Sequence, residues 1–160
     1  MSRAAYYADF VVMPALILAL LMFGAWTGLG IVAGLGAWSI AEYAIHRFLF
    51  HRVPLFKAAH DEHHAHPSGR TGVSSLHSAA IFLGLACLLP AGILIGFTVG
   101  YLAYIAIHHV VHHWRVAPGH PLYALKLRHR MHHRGVEANF GITTTVWDRA
   151  FRTYRRVTPR

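Results

Sequence analysis

Two stretches of this chain, residues 4–46 and 71–114, contain no lysine or arginine. All 15 basic residues fall at Arg3, between Arg47 and Arg70, or from Arg115 onward. These stretches carry apolar runs too long for a soluble core, which points to a membrane protein. Basic residues confined to the segments between them fit an arrangement in which every charged segment shares one face, the cytoplasmic one. Both termini are then cytoplasmic. The short loops and single domain, residues 1–160, point to a bacterial inner membrane. The net charge of +9 is therefore not a nucleic-acid footprint, since neither a reading helix nor an aromatic-interleaved binding surface accompanies it. The first residues resemble the n-region of a signal peptide. The apolar run after them is too long and lacks a cleavage site, so it reads as a retained anchor.

Four transmembrane helices are predicted, at residues 8–26, 29–50, 71–89 and 91–114. The first has nineteen residues, which at a rise of about 1.5 Å cover roughly the 30 Å hydrocarbon layer. Tyr6 and Tyr7 suit its interface, and Pro14 sits inside it. Pro90-Ala-Gly92 turns the third span into the fourth, where Gly92, Gly96 and Gly100 form a small-residue face for close helix approach. Residues 51–70 and 115–160 are too polar to span and form a cytosolic helical cap, with a further helix over about Leu122–His133. The tail from Trp147 to Tyr154 alternates aromatics with arginines, a pattern suited to the membrane interface. The fold class is all-α.

Fifteen histidines are the second constraint. The spacing His-x-x-His-His occurs at His60, His63, His64, again at His129, His132, His133, and a third time at His109, His112, His113. On a helix, residues three or four apart are neighbours, while adjacent residues diverge by about 100°. One such segment therefore reaches two different ions. Two segments, with His46/His51 and His108/His112, offer ten nitrogens, enough for two ions with about five each. His108/His112 is preferred to the alternative register His109/His113 because it follows Tyr104. His46 and His51 are five apart and do not share a face on a straight helix. One lies past the helix end, or the turn is irregular.

Imidazole suits Zn, Cu, Fe and Ni. With Asp61, Glu62 and Glu137 the few acids nearby, a carboxylate-bridged di-iron bundle is disfavoured. The single cysteine, Cys87, excludes a disulfide framework and a Cys-type zinc site. Glu42, four residues before His46, is read as an acceptor fixing that imidazole's tautomer. Tyr104, His77, His109 and His113 are read as supporting residues around the ligands. His66 and His120 are read as loop residues.

At these residues the chain resembles the membrane fatty acid hydroxylase/sterol desaturase superfamily, leaning toward fatty acid 2-hydroxylases. The likeness runs from Glu42-Tyr-Ala-Ile-His46-Arg-Phe-Leu-Phe-His51 through His60-Asp-Glu-His63-His64 and the His108–His113 stretch. It ends at Leu125-Lys-Leu-Arg-His129-Arg-Met-His132-His133 and Phe140-Gly-Ile-Thr-Thr-Thr-Val-Trp147-Asp148. It implies a four-helix membrane fold with a cytosolic cap and ligands at His46, His51, His60, His63, His64, His108, His112, His129, His132 and His133, with no catalytic residue beyond them. It also implies two iron ions (replaceable by zinc in isolated protein), molecular oxygen as cosubstrate, and oxidation of a lipid or fatty acid C–H bond. The family's third motif often has an acid where Ile105 stands, and a glycine usually follows the position of Phe151, where this chain has Arg152. The segment after Pro67 is shorter than in eukaryotic hydroxylases. With no room for a fused cytochrome b5 domain, electrons come from a separate ferredoxin or cytochrome b5-like carrier.

Rival readings remain at this level. A desaturase or a sterol or carotenoid hydroxylase shares the superfamily. A non-enzymatic metal-binding protein or transporter is disfavoured because transporters place ligands near the membrane midplane. A bis-histidine haem carrier needs fewer histidines than are present.

Overall fold

The computed structural model describes residues 2–69 and 73–157. Its elements are helical: α1 Arg3–Tyr7, α2 Asp9–Phe23, α3 Gly28–Ala44, a π-helical segment Ile45–Phe50, α4 Pro54–Ala65, α5 Ser75–Ala86, α6 Ala91–His113, α7 Tyr123–His132 and α8 Val146–Ala150. The Ser2 hydroxyl caps α1 by accepting from Ala5 N. Pro54 occupies the first position of α4, where its missing N–H costs nothing. The chain divides into two units, residues 1–39 with 69–102 and residues 40–68 with 103–160.

Among the described residues, three helices are long and apolar enough to cross a membrane: Arg3–Phe23, Gly28–Phe50 and Ala91–His113. The expected span at residues 71–89 is shorter than its sequence promised. Helix α5 has 12 residues, about 18 Å at 1.5 Å each, and Thr71 lies outside the described residues. The Ser74 carbonyl accepts from His77 N and Ser78 N at the start of α5. After Ala86 the chain tightens into turns, with Leu88 N donating to Leu85 O, ahead of Pro90.

In the first unit, Met13, Phe82 and Leu94 form a core flanked by Leu16, Leu20, Leu85 and Phe97. Here α3 and α6 touch backbone to backbone. A Cβ at Gly34 would lie 2.1 Å from Ile93 O, and one at Gly96 2.0 Å from Ile31 O. The reciprocal glycines explain why the small-residue face is needed. Gly96→Leu is expected to push these helices apart and abolish the folded, monodisperse peak in detergent size exclusion; a native profile would mean the contact is dispensable. The buried carboxylate of Asp9 is satisfied by hydroxyls: Ser78 donates at 2.8–2.9 Å and Tyr101 at 2.6 Å.

Candidate metal centre

Within the second unit, α3 loses its regular ladder after Ala44. Over Ile45–Phe50 the hydrogen bonds close one residue further along, as in the π-bulges common at functional sites. The wider turn swings residues five apart toward one side. His46 and His51 thereby both face His60, each Nε2 lying 3.1 Å from His60 Nε2. This is the irregular turn that their spacing required.

The other histidines come from regular helices. On α4, His60 and His64 share a face with Nε2 atoms 3.1 Å apart, while His63 turns away to His108 of α6, also at 3.1 Å. On α7, His129 and His133 share a face and His132 points the other way, to His51 at 3.1 Å. Two groups of five result: His46, His51, His60, His64 and His132, and His63, His108, His112, His129 and His133. In each, the five ligand nitrogens lie within 4.8 Å of one another. The segments His60–His64 and His129–His133 thus each serve both groups. His109 and His113 stay outside them and stack on each other at 4.4 Å.

These distances are not a hydrogen-bond network. His60 Nε2 lies 3.1 Å from three other Nε2 atoms, and a neutral ring has at most one hydrogen there. Two nitrogens each about 2.1 Å from one ion and at right angles lie about 3.0 Å apart. The observed separations of 2.7–3.1 Å match the edges that such a coordination shell would have. The residues present fit two metal ions.

The rings are held neutral, the form that ligates a metal. Burial first, then neighbouring histidines, lowers His60 to about 2, His63 and His64 to about 4, and His132 and His133 to about 3. His129 lies well below its ordinary value for the same reasons, and burial lowers His51. An unfolded histidine titrates near 6.5, so below that pH the unfolded chain binds more protons than the folded one. Stability from these rings is full above about pH 6.5 and is lost as acid approaches the folded values. The melting midpoint of metal-free protein is expected to be level above about pH 7 and to fall between about 6.5 and 4. A midpoint rising on acidification would contradict neutral rings.

Two backbone carbonyls orient the first group. His46 Nδ1 donates to Phe140 O at 2.6 Å and His132 Nδ1 to Ala138 O at 3.1 Å, leaving each Nε2 lone pair to face inward. In the second group, His129 Nδ1 is buried without a hydrogen-bond partner. The loop supplying the carbonyls is held by two buried carboxylates. Asp148 accepts from Phe140 N at 2.9 Å, Gly141 N at 2.8 Å and the Thr153 hydroxyl at 2.7 Å. Glu42 accepts from Ile142 N at 2.6 Å, Thr143 N at 2.9 Å and the Thr143 hydroxyl at 2.5 Å.

This corrects the expected role of Glu42. The acceptor for His46 is the Phe140 carbonyl, and Glu42 acts one step out by fixing the loop. The π-helical segment begins between them, so the simple four-residue relation does not hold. Tyr104 stacks on His108 at 5.6 Å with an interplanar angle of 9°. His77 belongs to the first unit, where its Nδ1 lies 2.6 Å from the Ser74 hydroxyl; that bond, and no ring of either histidine group, is its described side-chain partner. Sequence reasoning missed Ala138 and Phe140, because a carbonyl acceptor has no side-chain signature. Asp148 had one signal, an acid alone among the tail's arginines.

The model of the fatty acid hydroxylase family matches residues 31–153. The chain belongs to this family. It is 32% identical over 136 residues to the fatty acid 2-hydroxylase of Homo sapiens, covering 72% of this chain and 37% of that one. It is 34% identical to the dihydroceramide fatty acyl 2-hydroxylase FAH2 of Arabidopsis thaliana, covering 79% of this chain and 60% of the relative. The solved structure of full-length scs7p, with only its hydroxylase domain visible, aligns with a TM-score of 0.71 at 25% identity, covering 95% of this chain and 67% of that one. The chain spans 37–38% of the length of the animal hydroxylases it matches. The family match begins at Ile31 and ends at Thr153, so it takes in all ten grouped histidines and both carboxylates of the loop.

Proposed function

We propose that the chain is a membrane lipid hydroxylase, inserting one oxygen atom of O2 into an unactivated C–H bond of an acyl chain. The observation that carries this reading is the convergence of ten imidazoles, in two groups of five, within a chain of the fatty acid hydroxylase family. The names of its relatives, acting on fatty acids and on ceramide or dihydroceramide acyl chains, support an acyl substrate.

The residues that hold the metals are His46, His51, His60, His64 and His132 for one ion and His63, His108, His112, His129 and His133 for the other. Two iron ions bound there supply the oxygen activation that side chains alone lack. The protein's own work is to keep ten rings neutral, aim their Nε2 atoms inward, and hold that aim through the Phe140 and Ala138 carbonyls. The reaction consumes O2, two electrons and two protons, and releases the alcohol and one water. The electrons come from a separate acidic carrier, which the basic charge of the chain attracts in a salt-dependent way. Helix α5 and the turns to Leu89 supply the fourth apolar segment beside the three spanning helices. The histidine-bearing segments and both termini face the cytoplasm, a reading supported by the placement of Lys and Arg.

Lipid mass spectrometry of a host expressing the chain, compared with His64→Ala, tests this. The expected result is a histidine-dependent product heavier by one oxygen. A product lighter by two hydrogens would make the chain a desaturase. An unchanged lipidome with metal bound and a donor supplied would leave only a binding role.

A further inference from the structure

Helix α7 divides its side chains between two tasks. His129 and His132 turn to the histidine groups, while Tyr123, Leu127 and Arg128 line a cleft whose other wall is Tyr154 and Arg156 of the C-terminal segment. Its volume is about 170 Å³, several times the roughly 30 Å³ share of a water molecule. The Nε of Arg128 is buried without a hydrogen-bond partner. An unmatched buried donor is costly, and more so on a charged group.

The carboxylate that acts on Arg128 through its charge, Asp148, lies outside the cleft. Its lining contains no carboxylate. Among the described residues the ion pairs are Arg52–Glu137, Lys57–Asp61 and His66–Glu62, so neither Arg128 nor Arg156 is paired. The carboxylate of Asp148 is already committed to Phe140, Gly141 and Thr153. The tail wall is fixed in place. Tyr154 N donates to Asp148 O at 3.0 Å, Arg155 N to Asn139 Oδ1 at 2.9 Å, and the Arg149 guanidinium lies 4.1 Å from the Tyr154 ring centroid.

We propose that this cleft binds a phosphate group, carried by a phospholipid headgroup or free in solution. Two guanidinium forks and two phenol hydroxyls offer more donors than the two oxygens of one carboxylate accept, and planar guanidinium matches phosphate oxygens bidentately. The site is independent of what the histidines hold. It joins α7 to the tail, and so stiffens the helix that carries His129 and His132.

The test uses the full metal-loaded chain in a detergent without phosphate. Calorimetric titration with inorganic phosphate is expected to show one saturable site, weakened roughly tenfold or more in both Arg128→Gln and Arg156→Gln. Arg156→Gln lies in the tail, away from the histidines, and unchanged metal content shows that the fold survives. If free phosphate binds weakly but native mass spectrometry finds a phospholipid retained by the parent and lost by both variants, the lipid headgroup is the source. Equal phosphate binding by parent and variants, or no binding of either form by the parent, would overturn the proposal. So would competition by an acidic peptide as strong as that by phosphate, which would make the cleft a protein-docking surface.

Discussion

His132→Ala is expected to reduce hydroxylated lipid by more than about 100-fold, beyond the 10–100-fold typical of losing a supporting partner. His132 is 1% exposed, its Nε2 lies 3.1 Å from His51 Nε2, and its Nδ1 donates to Ala138 O. Alanine removes a ligand from the middle of the first group and leaves a cavity that no neighbouring side chain fills with nitrogen. His66→Ala and His120→Ala are the matched controls. His66 pairs with Glu62 at the end of α4, and His120 accepts from Leu122 N in a turn. Both variants are expected to keep near-parental product. Equal losses in all three would mean that general instability, not ligation, governs the product. Equal retention would remove the first group from the chemistry.

The second large effect is structural. Asp148 is fully buried, and Asp148→Ala leaves Phe140 N and Gly141 N without an acceptor and takes the 2.7 Å acceptor from the Thr153 hydroxyl, which keeps Tyr43 Oη and the Asp148 carbonyl. The expected destabilisation is about 3–5 kcal/mol, a fall in melting midpoint of roughly 10 °C. The Phe140 carbonyl moves with the loop, so His46 loses its orienting partner, and the first group is expected to bind metal about 10–100-fold more weakly. The second group takes no hydrogen bond from this loop in the described contacts and is expected to keep its ion. A differential loss therefore separates the loop's orienting role from global unfolding. Differential scanning fluorimetry with metal analysis reads both. A midpoint within about 2 °C of the parent, near half a kcal/mol, would show the loop does not depend on Asp148.

Much of this was legible in the sequence because helices have a fixed period. Residues three and four apart face together and adjacent ones diverge, so each His-x-x-His-His segment had to reach two ions, while the choice of His63 or His64 as the partner of His60 stayed open in the sequence. The π-helical segment was legible only as a requirement, since the five-residue spacing of His46 and His51 demanded an irregular turn without naming its kind. The short α5 was not legible, because the apolar run continues to Leu89 while the helix tightens into turns after Ala86. Least visible was the frame around the first group. It consists of main-chain carbonyls at Ala138 and Phe140, brought to the histidines by a loop whose anchors, Glu42 and Asp148, are 106 residues apart in the chain. Glu42 stands out in the sequence for its place four residues before His46, but contact with a distant loop leaves no local pattern.

The most direct measurement is the metal content of purified chain and of two variants, by inductively coupled plasma mass spectrometry. The account expects two ions per chain in the parent. His46→Ala is expected to lose the ion of its own group while keeping the other, and His108→Ala to do the reverse, so that the double variant holds none. A single ion per chain, or two ions undisturbed by either substitution, would contradict two separate five-histidine sites.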